Sequence, residues 1–444
     1  MADLPLIRNY SADAAFAYRA GQRVPVEAFL GDAARLARVL PQRSHVVNLC
    51  ADRYRFTVGL AAALLRGQVS LFPSNSTPDL LERVARGYPG VYCLSDGAGD
   101  IPQLETFAYP DMPSSTTAPV PVPLIPETQT AAVLFTSGST GQPVPHTKSW
   151  GSLVRSGLAE VERLGLSAHR NMVLLGTVPQ QHMYGLESTV LAVMQGGLAM
   201  HSGRPFFPAD VCAELEASPR PRGLVTTPVH LRVLLGESSV LPAVDFLLCA
   251  TAPLSPQLAA EAEARFTSPL FEIYGCTEAG QVATRRPARS QEWRLLPGLR
   301  LHAVEGGFGV SGGHVEGRVL LGDVIEPRDA DTFILHGRTA DLVNIAGKRT
   351  SLTHLNFHLN SIAGVKDGAF VMPEEDDGTV TRLMAFVVAP GISSDTVMSA
   401  LRQRIDPAFL PRPLCFVDSL PRNETGKLPR LALERLVSRL AKVD

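Results

Sequence analysis

The sequence predicts an α/β protein: a large N-terminal domain over 1–338, built on parallel and mixed sheets, and a small α+β domain over 339–444. Three observations predict it. Short apolar runs alternate with helical periodicities from about residue 25 to 270, the signature of crossover units on a parallel sheet. From 294 to 336 the pattern changes to closely spaced β-like runs, LRLHAV, GRVLLGD and TFILHG. Beyond GRTAD at 337–341 a compact mixture of helical and strand patterns follows, long enough to fold as a small domain. A chain of 444 residues that is 45% apolar and 19% charged suits two or three buried cores.

Taken in order, Phe29, Leu30, Ala33, Leu36, Val39 and Leu40 recur at helical spacing and predict an amphipathic helix over 25–40. A short strand at 46–49, a helix at 56–66, a strand at 69–72, a helix at 78–87 and a strand at 91–94 continue the alternation. The stretch PDMPSSTTAPVPVPLIP at 110–126 is rich in proline and hydroxyl residues, cannot join a helix, and reads as an extended connection inside the large domain. In the small domain a helix is predicted near 353–362, strands at 369–372 and 383–388, a helix at 394–404, and a last helix after Pro429.

Several function classes drop out on composition. Formal net charge is −2 and the basic residues are dispersed, so no field draws in nucleic acid or an anionic membrane. Six cysteines occur without a CxxC pair or regular spacing, against a zinc site or a disulfide framework. The beginning of the chain lacks a basic region followed by an apolar core, and the apolar stretch 57–65 falls well short of the ~20 residues a membrane span needs. The expectation is a cytoplasmic protein with no membrane span.

Four stretches carry chemistry. In LFTSGSTGQP a strand runs into Thr136, Ser137, Gly138, Ser139, Thr140 and Gly141. Glycines let the backbone approach a phosphate, and consecutive N–H groups with hydroxyls form an anion-binding nest. Lys148 lies seven residues beyond Gly141, so the Walker spacing fails. In FEIYGCTEAG an apolar strand ends at Tyr274, suited to stack on a base, Thr277, suited to donate to a phosphate, and Glu278, suited to hold Mg²⁺. Asp323 and Arg338 follow strand-like runs and suit ribose and phosphate oxygens. Lys427, in LPRNETGKLPR, sits in a loop before a helix, where its stem would bring a point charge to a transition state. Taken singly, each stretch also fits a plainer reading: a surface turn, a strand and turn, a structural ion pair, a solvated lysine. Gly307, Gly309 and Gly312 fit GxGxxG, but the residues after them read as strand and turn, which excludes a dinucleotide site that needs a helix N-terminus there.

In this order, from about residue 25 to 432, the stretches resemble the adenylate-forming superfamily of acyl-CoA synthetases, nonribosomal peptide adenylation domains and luciferases. The resemblance implies the fold of that superfamily, with a mobile C-terminal domain, and ATP and Mg²⁺ as cofactors. It implies that Lys427, Thr277, Glu278 and His182 are catalytic, with Glu278 on Mg²⁺. Thr136, Ser137, Gly138, Ser139, Thr140, Gly141, Ala250, Thr251, Ala252, Tyr274, Gly275, Thr277, Asp323 and Arg338 would bind the nucleotide. His182, Tyr184, Gly185, Thr227, Ala250, Gly275 and Gly280 would line the acid pocket, where small residues suit a flat ring or an acyl chain. Gly347 falls in the thiol-tunnel loop and Ala340 at the hinge. The phosphate loop departs from the usual Pro-Lys-Gly continuation: Pro143-Val144-Pro145 stands there, and Lys148 is left as a conceivable substitute. The compact form, with GSTGQPVPHTKSWG, looks most like the aryl acid ligases of bacterial aryl-polyene (xanthomonadin-type) pigment pathways. That implies activation of a hydroxybenzoate-like acid and its transfer to an acyl carrier protein. Free CoA is the alternative acceptor, and an idle nucleotide-binding protein the alternative of a different class.

Overall fold

The computed structural model describes residues 2–11, 14–97, 101–111, 121–137, 143–237, 240–338, 341–345, 348–373, 383–423 and 428–440. Two sheets organise the large domain. The first has six strands, in the order Pro143–Ser149, Thr130–Ser137, Val69–Phe72, His45–Asn48, Tyr92–Ser95, Glu105–Ala108, all parallel except the antiparallel pair formed by the first two. The second has eleven strands. Its centre is parallel, running Leu270–Cys276, Phe246–Cys249, Arg222–Thr226, Val173–Gly176, Ala199–His201, Ala15–Arg19. Antiparallel strands extend both edges, which makes the sheet mixed, as expected.

Local chemistry accounts for the elements between them. Helix Val26–Val39 buries Val26, Phe29, Leu30, Ala33, Leu36 and Ala37, the predicted stripe shifted by a residue or two at the ends. Phe29 stacks on Phe16 at 3.8 Å between centroids; burying such a ring contributes about 2–3 kcal/mol. Helix Arg53–Leu65 starts earlier than the apolar run suggested, because the Asp52 carboxylate accepts from the Arg55 N–H and caps it. That helix is buried on nearly all sides, so its sequence lacks an amphipathic stripe. The proline-rich connection closes with strand Leu124–Pro126, paired antiparallel to Asp3–Pro5.

The predicted β-like region is an antiparallel meander, Leu299–Val304, Gly307–Gly312 and Val315–Leu321, followed by strands Asp323–Pro327 and Thr332–Arg338 of the large sheet. The GxGxxG glycines thus lie in a strand followed by another strand, as the sequence indicated. The small domain folds around strands Asp367–Val371, Met384–Val388 and Leu414–Phe416. Helices Leu352–Asn360 and Ser394–Arg402 supply Leu355, Leu359, Val397 and Leu401 to one core, and helix Arg430–Leu440 packs Leu433, Leu436 and Val437 near Ala369, Val371 and Phe386. At the junction of the domains Arg232 Nη1 lies 3.5 Å from the Asp367 carboxylate, beside a crevice of about 100 Å³ that includes Ala252, Pro253, Phe357 and Arg422. No helix among the described residues is long and apolar enough to cross a membrane, and all six cysteines are free thiols.

Candidate active site

Four adjacent parallel strands of the large sheet point their carboxyl ends at one place. Val173–Gly176 leads to the turn carrying Gln180 and His182, and Arg222–Thr226 leads to Thr227. Phe246–Cys249 leads to Ala250, Thr251 and Ala252, and Leu270–Cys276 leads to Thr277 and Glu278. Their register in the sheet brings together residues up to a hundred positions apart, in the position where open α/β sheets bind ligands.

Each turn is held from beneath. Arg53, fully buried, donates from Nη1 to the carbonyls of His201 and Gly203 and from Nη2 to those of Gly176 and Val178, at 3.0–3.2 Å. Burial lowers its pKa to about 9. Gln180 Nε2 donates to the carbonyls of Cys50 and Ala51. The stretch that follows is therefore fixed, and His182 caps the turn Met183–Gly185. Tyr184 is committed to the sheet: its hydroxyl donates to the carbonyls of Thr226 and Leu248 at 3.1 and 3.2 Å, leaving its ring as the feature it offers to a ligand. Thr227 accepts from the His230 N–H and caps the next helix.

The Ala250–Ala252 turn is clamped by the buried Glu272 carboxylate, which accepts from the Leu254 N–H at 3.0 Å and from Arg285 Nε at 2.6 Å. Thr251 has φ +85°, a left-handed conformation rare for a β-branched residue, so this turn holds backbone strain. Tyr274, on the next strand, donates its hydroxyl to Asp323 Oδ2 at 2.6 Å, and its ring packs on Trp293 and Phe333. Asp323 is the ladder partner of Arg338. Three residues picked out from two motifs, Tyr274, Asp323 and Arg338, thus meet at one end of the sheet.

Gly185, Gly275 and Gly280, expected to line an acid pocket, are also kept small by the chain around them. A Cβ on Gly185 would lie 2.0 Å from the Pro179 carbonyl oxygen, and one on Gly275 would lie 2.4 Å from that of Gly280. Gly280 has φ +79°, and its Cβ would stand 2.7 Å from Glu187 Oε1. Close approach of the chain to itself requires these glycines. Gly138, Ser139, Thr140, Gly141, Ala340, Gly347 and Lys427 lie outside the described residues, as do the side chains of Ser137 and Arg338.

Sequence reasoning named Lys148 only as a conceivable loop cation and missed the other groups around Glu278. His146 Nε2 lies 2.9 Å from the Thr136 hydroxyl and 3.6 Å from Glu278 Oε1. Lys148, only 5% exposed, donates from Nζ to the Glu278 carbonyl at 2.6 Å. Behind them Glu187 and Glu160 are buried, accepting from Ser156 and the Gln281 N–H, and from Gln281 Nε2 respectively. Burial raises their pKa values to about 7 and about 8. A sequence signal existed, in charged residues standing inside otherwise apolar or strand-like runs, but nothing in it names their partners.

Mg²⁺ fits this donor set. Among the described residues no three His, Cys, Asp or Glu side chains converge as a protein cage. The Glu278 carboxylate, 44% exposed beside the Thr136 hydroxyl, is a hard oxygen ligand of the kind that holds Mg²⁺ jointly with substrate phosphates.

Comparison with known proteins identifies the family and the fold. The AMP-binding enzyme family profile matches residues 29–305, and that of the AMP-binding enzyme C-terminal domain matches 359–427. A 4-coumarate–CoA ligase of Halorhodospira halophila is 30% identical over 302 residues, covering 66% of this chain and 73% of the relative. A 3-hydroxybenzoate–CoA/4-hydroxybenzoate–CoA ligase of Thauera aromatica is 25% identical, covering 68% and 66%. Among solved structures, o-succinylbenzoate CoA synthetase from Bacillus subtilis, in complex with its acyl-adenylate intermediate, superposes with a TM-score of 0.80 at 18% identity over 98% of this chain and 99% of that one. ATP-bound MatB from Rhodopseudomonas palustris superposes with a TM-score of 0.77 at 19% identity, over 98% and 97%.

Proposed function

The chain belongs to the AMP-binding enzyme family, and from that premise we propose that it activates an aromatic, hydroxybenzoate-like carboxylic acid with ATP and passes the acyl group to an acyl carrier protein. It is an AMP-forming acid–thiol ligase whose cofactors are ATP and Mg²⁺. The observation that carries the reading is the meeting of Tyr274, Asp323 and the Thr277–Glu278 turn beside the Ala250–Ala252 turn at the carboxyl ends of the parallel strands.

In this reading Asp323, held by Tyr274, binds the ribose, and the 250–252 turn flanks the adenine. The acid lies between the Tyr184 ring, His182 and Thr227. Its carboxylate attacks the α-phosphorus, the bond to pyrophosphate breaks, and an acyl-adenylate forms. The Thr136–Gly141 nest and Thr277 donate to the phosphates while Lys427 offsets the charge that builds on the phosphoryl oxygens. Mg²⁺, held by Glu278 and the phosphates, supplies further neutralisation when bound. The thiol then attacks the acyl carbonyl, AMP leaves, and a thioester forms. Domain rotation about Ala340, between segments 1–338 and 339–444, and entry of the thiol past Gly347 belong to the same proposal.

Free CoA is a second reading for the acceptor, favoured by the relatives, which are named CoA ligases. The carrier-protein reading rests on the compact chain and its GSTGQPVPHTKSWG segment. Pyrophosphate release screened across hydroxybenzoates, cinnamates and fatty acids tests the acid: hydroxybenzoates give the highest kcat/KM, whereas a preference for fatty acids removes the aromatic reading. Assay with free CoA against holo-carrier protein tests the acceptor, and rapid turnover with CoA alone removes the carrier reading.

A further inference from the structure

The strand that leaves the phosphate loop reaches the Glu278 turn twice. On Pro143–Ser149 the side chains two residues apart share a face, so Val144, His146 and Lys148 form one row of increasing burial. Val144, exposed, is where the resemblance leads one to expect a lysine. Deeper in the row, His146 stands between the Thr136 hydroxyl and Glu278 Oε1, at 2.9 and 3.6 Å. Deeper still, the Lys148 ammonium is spent on the main-chain carbonyl of Glu278, 130 residues away, at 2.6 Å. Lys148 therefore acts beneath the turn and does not supply the missing loop cation. One glutamate is thus approached at both ends, its carboxylate by a ring nitrogen at 3.6 Å and its peptide by an ammonium at 2.6 Å.

We propose that His146 and Lys148 are positioning residues that fix Glu278 against the phosphate loop, a clamp that presets the Mg²⁺–nucleotide site in place of the loop lysine. The inference rests on the reading of Glu278 as the Mg²⁺ ligand. A carboxylate on an exposed turn otherwise samples several rotamers, and holding it in one reduces the ordering cost of binding. Neighbours of a metal ligand act in this way on metal affinity, commonly by 10–100-fold. Burial opposes the Lys148 ammonium, as do the nearby His146 and His314 rings, whereas Glu187 and Glu316 favour it.

The test is calorimetric titration of ATP into the whole protein at a series of Mg²⁺ concentrations, for wild type, His146→Ala, His146→Gln, Lys148→Met and Lys148→Arg, with melting curves alongside. Mg²⁺-dependent ATP binding by wild type establishes the underlying reading; its absence overturns that reading whatever the variants do. Given that binding, His146→Ala is expected to raise the Mg²⁺ needed for half-maximal ATP affinity by roughly tenfold. His146→Gln, which keeps a polar nitrogen near the same place, restores most of it. Lys148→Met reproduces the loss and Lys148→Arg reduces it. If Lys148→Met fails to fold, the His146 pair still decides. A folded His146→Ala with wild-type Mg²⁺ dependence overturns the clamp, and so does a His146→Gln variant as weak as His146→Ala.

Discussion

Arg53 is a fully buried cation that holds the turns beneath the site. Its guanidinium ties four carbonyls that belong to two separate segments, 176–178 and 201–203. Arg53→Met removes those donors and orphans buried acceptors, which costs on the order of 3 kcal/mol. A urea midpoint lowered accordingly is the expected result; an unchanged midpoint shows that the carbonyls find other partners. Tyr274 tests the ribose side more gently. Tyr274→Phe keeps the ring against Trp293 and Phe333 and loses the bond to Asp323. It is expected to weaken ATP binding about fivefold, the worth of one hydrogen bond, with no change in melting. The two residues differ in how legible they were. Tyr274 stands in a contiguous motif, FEIYGCTEAG, that drew notice as a unit. Arg53 lay outside the helix expected at 56–66 and in no motif, because its partners are main-chain carbonyls beyond residue 175 that no local pattern reveals.

Elements carry the pH behaviour. Helix Trp150–Arg163, the π-helical segment Leu186–Leu191 and strand Gly280–Arg285 bury Glu160 and Glu187 between them, linked through Gln281, Ser156 and Ser188. π-helical turns are rare and cluster at functional sites, and this one follows directly on the 180–185 stretch. Both carboxyl groups have pKa values raised by burial from 4.5 to about 8 and about 7. The folded state therefore holds more protons than the unfolded state between about pH 4.5 and 8, so stability falls as pH rises through that window. Glu160→Gln, which cannot ionise, is expected to flatten the decline of melting temperature over this range; a slope equal to wild type contradicts the assignment. Apolar runs made the strands and helices themselves readable to within a few residues. The π-helical register was not readable, since periodicity at this length does not separate one helical hydrogen-bond pattern from another. The glycines expected to line the acid pocket are also constrained by the Pro179 and Gly280 backbone and the Glu187 carboxylate, contacts that no local pattern reveals.

At the scale of the whole molecule the two domains meet through Asp367. Arg422 holds its carboxylate with two bonds of 2.7 and 2.8 Å, and Arg232 reaches it from the large domain at 3.5 Å. Reversing the charge with Arg232→Glu sets two carboxylates against each other and is expected to broaden the small-angle scattering distance distribution. A profile superimposable on wild type shows that this pair does not govern domain orientation. Domain architecture was legible because the alternating pattern, the β-like region and the compact C-terminal set each have their own periodicity. Which faces of the two domains touch was not, since Arg232 and Asp367 lie in unrelated stretches, each plausible as a surface charge.

The most direct test of acid activation is acid-dependent exchange of pyrophosphate into ATP, compared between wild type and Lys427→Ala. Exchange that requires both the acid and Mg²⁺, and that falls at least about a hundredfold in the variant, is the predicted result. Equal exchange in the two proteins, or ATP turnover indifferent to any acid, contradicts the account.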